Sequence, residues 1–248
     1  MARQESSFGK KSGSTIKNVR LTIKKIFVMK KYILTILSLS MLLFYNCAKD
    51  NYDEPESELT GKVIYKGEAV GVRQTDGAVQ MQLYQDGYEL YTSIPVYITQ
   101  EGTFSAKLFN GTYKLVTRSL NGPWVNDRDT VIVKVNGRTT VEYPVDLYYS
   151  LSNVKFDIVG DSLVSTFTVS QESGSQTIDY ISLLVNKTKF VDVGTKVGEA
   201  KAANNTLGQK RIALKISNSS EKFLFARIAL KMKEVDEAVY SIGSEQVK

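Results

Sequence analysis

From Leu59 onward, apolar side chains in this chain recur at every second position, in short runs separated by turn-forming residues. A period of two puts one face of an extended segment toward a core and the other toward water, so the pattern demands β-strands and admits no amphipathic helix. ELTGKVIYKG alternates around Val63 and Tyr65. AVQMQLYQ sets Val79, Met81 and Leu83 on one face with Gln80 and Gln82 opposite, and SIPVYIT makes a third strand. A Glu101-Gly102 turn leads into Phe104, Ala106 and Leu108. Asn110-Gly111 then reverses the chain into Tyr113 and Leu115, and Asn136-Gly137 repeats the device between Val131/Val133/Val135 and Val141/Tyr143/Val145. Asn-Gly tolerates the positive φ of a type I′ turn, so both dipeptides predict hairpins. About seven strands and no helix are expected before Asp146.

Asp146 to Ser152 (DLYYSLS) reads as the hinge into a second domain, with Tyr148 and Tyr149 packing the two together. Beyond it, Val154/Phe156/Ile158, Leu163/Ser165/Phe167/Val169 and Ile178/Tyr180/Ser182/Leu184 alternate again, with turns at Gly160-Asp161 and 171–175. The span from Asn186 to Gly208 is polar, with Phe190, Val191 and Val193 as a short strand. Ile212/Leu214/Ile216, the run Phe223 to Leu230, and Ala238/Tyr240/Ile242 complete the set. Short, evenly spaced strands with turns between them predict an immunoglobulin or fibronectin-III-like sandwich. With a single cysteine in the chain, it is not the disulfide-pinned type.

The expected fold class is therefore all-β, two β-sandwich domains in tandem at 58–148 and 149–248. An apolar content of 42% is ample for two cores. The absence of histidine removes Ser-His-Asp and Cys-His catalysis, histidine metal sites and the usual general base near neutral pH. One cysteine leaves no cysteine-rich zinc site. No cofactor, metal or enzymatic activity is expected. The net charge of +6 is confined to the beginning: residues 1–31 hold nine Lys/Arg against Glu5, and the remainder carries a net −2. No nucleic-acid partner is implied.

Met29 to Cys47, MKKYILTILSLSMLLFYNC, has two lysines, an apolar run from Tyr32 to Tyr45 and then the lone cysteine. Its length fits the h-region of an export signal and falls short of the ~20 residues that span a bilayer. Residues 29–46 are read as a signal peptide, with 1–28 a spurious extension upstream of a true start at Met29. The segment resembles a bacterial lipobox of the loose kind found in Bacteroidetes, with Cys47 as lipid acceptor. In the acidic linker 47–57, Lys49, Asp50, Asp53 and Glu54 resemble the tag that sends such lipoproteins to the outside of the outer membrane. Acylation contributes about 0.8 kcal/mol per buried methylene, enough with several chains to anchor the protein. The alternative is an ordinary solvated linker.

TGKV (Thr60 to Val63) and GTFSAKLFNGTYKL (Gly102 to Leu115) resemble the transthyretin-like, carboxypeptidase-regulatory-like sandwich. Together with the lipobox, the acidic tag and VGVRQTDGAVQMQLYQDGY (Val70 to Tyr88), they resemble a Bacteroidetes family of outer-membrane lipoproteins of unknown function. That resemblance implies a place beside starch-utilisation-type transporter and glycan-binder pairs, and a polysaccharide or oligosaccharide as ligand. It carries no catalytic residues across.

The loop Asn121 to Asp129 (NGPWVNDRD) combines the only tryptophan, Trp124, with Asn126, Asp127, Arg128 and Asp129. An aromatic plane for the apolar face of a sugar, with amide, carboxylate and guanidinium groups for its hydroxyls, suits carbohydrate. The alternative is that Trp124 caps the core or packs at the interdomain seam. Asp127 and Asp129 lack the glycine and distal glutamate of an EF-hand. Tyr84, Tyr88 and Tyr91 form a second aromatic group, which strand preference alone explains. The reading is an accessory glycan-binding or scaffold module. The alternative is a fimbria-like surface subunit assembled by strand donation.

Overall fold

A computed structural model describes residues 24, 25, 28–33, 53–87, 89–216 and 223–248. The chain forms two units, 1–53 and 54–248. In the first, residues 24, 25 and 28–33 are helical. No helix among the described residues is long and apolar enough to cross a membrane. Cys47, Lys49 and Asp50 lie outside the described residues, as does Tyr88; Asp53 and Glu54 are exposed.

The second unit is all-β, two sandwiches in tandem. The first comprises β1 (Ser57–Tyr65), β2 (Glu68–Ala69), β3 (Gln80–Tyr84), β4 (Ile94–Tyr97), β5 (Thr103–Leu108), β6 (Gly111–Thr117), β7 (Val131–Val135) and β8 (Arg138–Pro144), with a 3-10 turn at Thr75–Gly77. Sheet I is built on β1, which pairs antiparallel with β5 and β2 and parallel with β8. Sheet II runs β4-β3-β6-β7, all antiparallel. The alternation works as anticipated: Leu59 and Val63 from one sheet meet Val79, Met81, Leu83, Tyr113 and Leu115 from the other, all buried.

Both Asn-Gly hairpins are corrected. β5 belongs to sheet I and β6 to sheet II, so Asn110-Gly111 steps between sheets. Asn136-Gly137 does the same between β7 and β8. Gly111 does not have positive φ, whereas Gly137 does, at 65°. The two steps are tied together, because the Asn110 carboxamide oxygen accepts from Ser57 Oγ at 2.6 Å and from the Gly137 N–H at 3.1 Å. Side-chain bonds across the sandwich thus replace the ladder bonds of a hairpin.

The second sandwich comprises β9 (Tyr149–Val159), β10 (Ser162–Gln171), β11 (Ile178–Asn186), β12 (Gly198–Lys201), β13 (Gly208–Lys215), β14 (Phe225–Met232), β15 (Val239–Tyr240) and β16 (Glu245–Gln246). Sheet III runs β13-β10-β9. Sheet IV runs β12-β11-β14-β15, with β16 also on β14. The short strand expected at Phe190–Val193 falls instead at Gly198–Lys201. Asp192 holds the earlier segment in a turn, its carboxylate accepting from the Gly194 N–H at 2.8 Å and the Thr195 N–H at 3.2 Å. β14 does not alternate: Ala226 to Leu230 are all buried, because sheet III covers one face and the first sandwich reaches the other.

Candidate functional site

The 121–129 loop is a strap between the sandwiches. The Asn121 amide donates to Ala78 O at 2.7 Å and its oxygen accepts from Gln80 N at 2.8 Å, fixing the loop to the start of β3. Val125 N then donates to Asp146 O at 2.7 Å, Trp124 pairs with Leu147, and Asp236 N of the second sandwich donates to Leu120 O at 3.1 Å. Within the connecting segment Asp146 to Ser152, Leu147, Tyr148 and Tyr149 are buried, and the Tyr149 hydroxyl donates to Gln176 O at 2.5 Å.

Trp124 is 3% exposed and lies in the buried cluster that runs through both sandwiches. Its ring folds back over Gly122, where a Cβ would stand 2.1 Å from it. It offers no open face to a sugar, and that part of the loop expectation is corrected. Asn126 accepts from Leu120 N at 2.9 Å, and the Asp129 carbonyl accepts from the Tyr143 hydroxyl, so both brace the loop. The Asp127 side chain is exposed. No group of three or more His, Cys, Asp or Glu among the described residues could hold a metal ion.

Arg128 leads elsewhere. Held at φ 55°, it donates through Nε to Thr117 O at 3.2 Å and through Nη2 to Gln82 Oε1 at 3.0 Å, on the outer face of sheet II. The same Gln82 oxygen accepts from the Tyr84 hydroxyl at 3.4 Å. The Tyr84 ring stacks on Tyr91, centroids 5.2 Å apart and planes 23° apart. Tyr91 is 53% exposed, so the pair presents an aromatic surface to solvent. Beside it Lys114 donates to Asp86 at 2.9 Å, and that carboxylate raises the ammonium pKa above its ordinary value. The structure thus joins one residue of the expected loop site to two of the tyrosine group.

Beyond β4, the edge strand of sheet II, lies a groove of about 740 Å³ between β4 and sheet I. Its size is within the ~300–1,000 Å³ of small-molecule sites. Ile94, Pro95, Tyr97 and Phe104 give it apolar walls, and Thr60 and Thr140 add hydroxyls. Gly61 is required here, since a Cβ would stand 2.3 Å from the Phe104 ring and 2.4 Å from Val141 O. The Tyr84–Tyr91 pair, Gln82 and Arg128 lie on sheet II, and the hydroxyl-lined groove flanks its edge strand β4 without including any of them. An exposed aromatic plane beside an amide and a guanidinium has the chemistry to stack on, and hydrogen-bond to, a polyhydroxylated surface.

A set of interdomain residues escaped the sequence reading. Arg227 is fully buried, donating to Val72 O at 3.3 Å and Gln100 O at 3.0 Å in the first sandwich. In the second it donates to Val191 O at 3.2 Å and Ser241 O at 3.0 Å. Burial pushes its pKa down to about 10. Glu172 accepts from Ser150 Oγ at 2.5 Å, Tyr65 Oη at 2.6 Å and Lys66 Nζ at 2.9 Å, which together hold its carboxyl at about 2. Thr75 donates by both its N–H and its hydroxyl to Asp192. An arginine inside an apolar run was the one visible signal.

Residues 57–146 match the model for the N-terminal domain of a protein of unknown function, DUF3823, and residues 149–244 match that for the domain of unknown function DUF3823_C. None of the curated proteins matches the chain. A DUF3823 family protein from Parabacteroides merdae, solved by crystallography, is 37% identical with a TM-score of 0.75, over 79% of this chain and 100% of that one. One from Bacteroides ovatus is 34% identical with a TM-score of 0.69, over 77% and 98%. A "putative carbohydrate binding protein" from Bacteroides uniformis is 17% identical with a TM-score of 0.64, over 78% and 99%. At that identity the likeness speaks for the fold.

Proposed function

Because the chain belongs to the DUF3823 family, carrying both of its domains in tandem, we propose that it is a glycan-binding accessory module, lipid-anchored at the outer membrane. The observation that carries the glycan reading is the Tyr84–Tyr91 stack, its outer ring open to solvent beside Gln82 and Arg128. Aromatic planes stack on the apolar faces of sugars while amide and guanidinium donors take the hydroxyls. The description of the Bacteroides uniformis relative as carbohydrate-binding supports the same reading.

The anchor is the acylated Cys47, facing outward under the tag Lys49, Asp50, Asp53 and Glu54. The partner is a transporter and glycan-binder pair, to which the module delivers or presents polysaccharide. Its role is binding without bond cleavage, consistent with a sequence that lacks histidine.

The test is an immobilised glycan array probed with the full-length protein and with Tyr91→Ala. Binding to a polysaccharide that falls tenfold or more in the variant supports the reading. Silence from both across a broad panel removes the glycan and leaves the strand-donating surface subunit, whose signature would be proteolytic removal of β1 during assembly. Fatty-acid labelling tests the anchor separately: label retained by Cys47→Ala would refute it.

A further inference from the structure

We propose that two copies of this chain associate edge to edge through β9, antiparallel, with Phe156 facing Phe156 across a two-fold axis. β9 pairs with β10 along one side only and terminates sheet III. A bulge at Asn153, φ 54°, where the register slips opposite Thr166–Thr168, separates its first half from its second. Beyond the bulge, residues 154–159 run without Pro or Gly, and the charges on that stretch of edge, Lys155 and Asp157, guard it against any partner that does not match them.

The occupant is argued from the sequence of that edge. Val154-Lys155-Phe156-Asp157-Ile158 is self-complementary when laid antiparallel about Phe156. Residues whose numbers sum symmetrically about 156 then stand opposite one another on the same face. Lys155 meets Asp157 of the second copy twice, giving two cross-strand opposite-charge pairs. On the other face Val154 meets Ile158 twice, flanking the Phe156 pair. Both charges are exposed, and neither enters an ion pair among the described residues.

The apolar side is equally unfinished. Val154 and Phe156 are only partly buried against the core, and Ile158, opposite the fully buried Leu163 of β10, is 50% exposed. A second β9 continues that apolar row and covers it. The closed C2 arrangement leaves no further edge at this position, so association stops at the dimer. This edge is remote in sequence from Tyr84, Tyr91 and Arg128, and the proposal does not depend on the glycan reading.

Sedimentation of the full chain in density-matched detergent tests it by charge reversal. Lys155→Asp sets Asp against Asp at both pairs, Asp157→Lys sets Lys against Lys, and each should weaken dimerisation about tenfold or more. The swap carrying both changes restores opposite charges and should return the dimer. Mixing the two single variants should give heterodimer in preference to either homodimer. The residues are exposed, so matched thermal melts would show that folding is intact. A wild-type chain that stays monomeric at high micromolar concentration overturns the proposal, as does a dimer indifferent to both reversals.

Discussion

The guanidinium carbon of Arg227 lies 4.6 Å from the centre of the Tyr240 ring. Backbone carbonyls of both sandwiches take four of its five N–H donors, and among the described residues no carboxylate accepts from it. Arg227→Ala strands these carbonyls and opens a void, and should cost about 3–5 kcal/mol. Arg227→Lys keeps the charge but offers three donors for four acceptors, and should cost about 1–3 kcal/mol. Denaturant titration is the measurement. Because the carbonyls belong to both sandwiches, the two domains should lose stability together.

Glu172 gives the interface a dependence on acid. Its carboxyl is held near pKa 2, against 4.5 for an unrestrained glutamate, by hydrogen bonds from Ser150, Tyr65 and Lys66. A folded pKa below the unfolded one gives stability that is complete above pH 4.5 and lost as pH falls toward 2. Glu172→Gln should lower the melting temperature at pH 7 and flatten its decline over that window. Parallel melts of both proteins from pH 7 to 2.5 check this.

Trp124 and Tyr91 should separate cleanly. Trp124→Ala empties a core position and should cost about 3–5 kcal/mol, with any loss of ligand binding following from unfolding. Tyr91→Ala removes a ring that is 53% exposed and should shift the melting temperature little while reducing glycan binding tenfold or more. Melts and binding isotherms on both variants make the comparison.

At Gly71 the backbones of the two sandwiches meet directly. A Cβ there would stand 2.5 Å from Tyr240 O and 2.9 Å from Ser241 O, both backbone atoms. Tyr240 N also donates to Gly71 O at 2.9 Å. Gly71→Ala should destabilise by about 1–3 kcal/mol, the usual range for overpacking. Gly67→Ala is the comparison, since nothing lies within 4 Å there and its cost comes only from φ 85°. Thermal melts of the two variants separate collision from backbone strain.

Strand positions were legible because the need to bury alternate side chains is local. Val79, Met81 and Leu83 announce a face whatever they pair with. Pairing partners were not legible: an alternating run, Asn-Gly and another alternating run reads the same whether the chain returns within its sheet or crosses to the facing one. At Asn110 and Asn136 the choice is made by β1 and β8, which meet across some 80 residues. Trp124 in a polar loop looked like a ligand platform because its cover comes from Leu147 and the second sandwich. Arg227, between Ala226 and Ile228, has the spacing of an outward position. Only the covering domain reveals that both faces of its strand are interior.

The parallel pairing of β1 with β8 also sets an order of events during synthesis. β1 leaves the ribosome first, yet one of its two edges stays open until residues 138–144 have followed it. Contacts of such long sequence separation are slow to form. Until then the first sandwich is an unclosed sheet with one open flank, which stays exposed until Pro144 is in place. Val72 O and Gln100 O wait longer still, for Arg227, which makes the last stretch of the chain the one that seals the first.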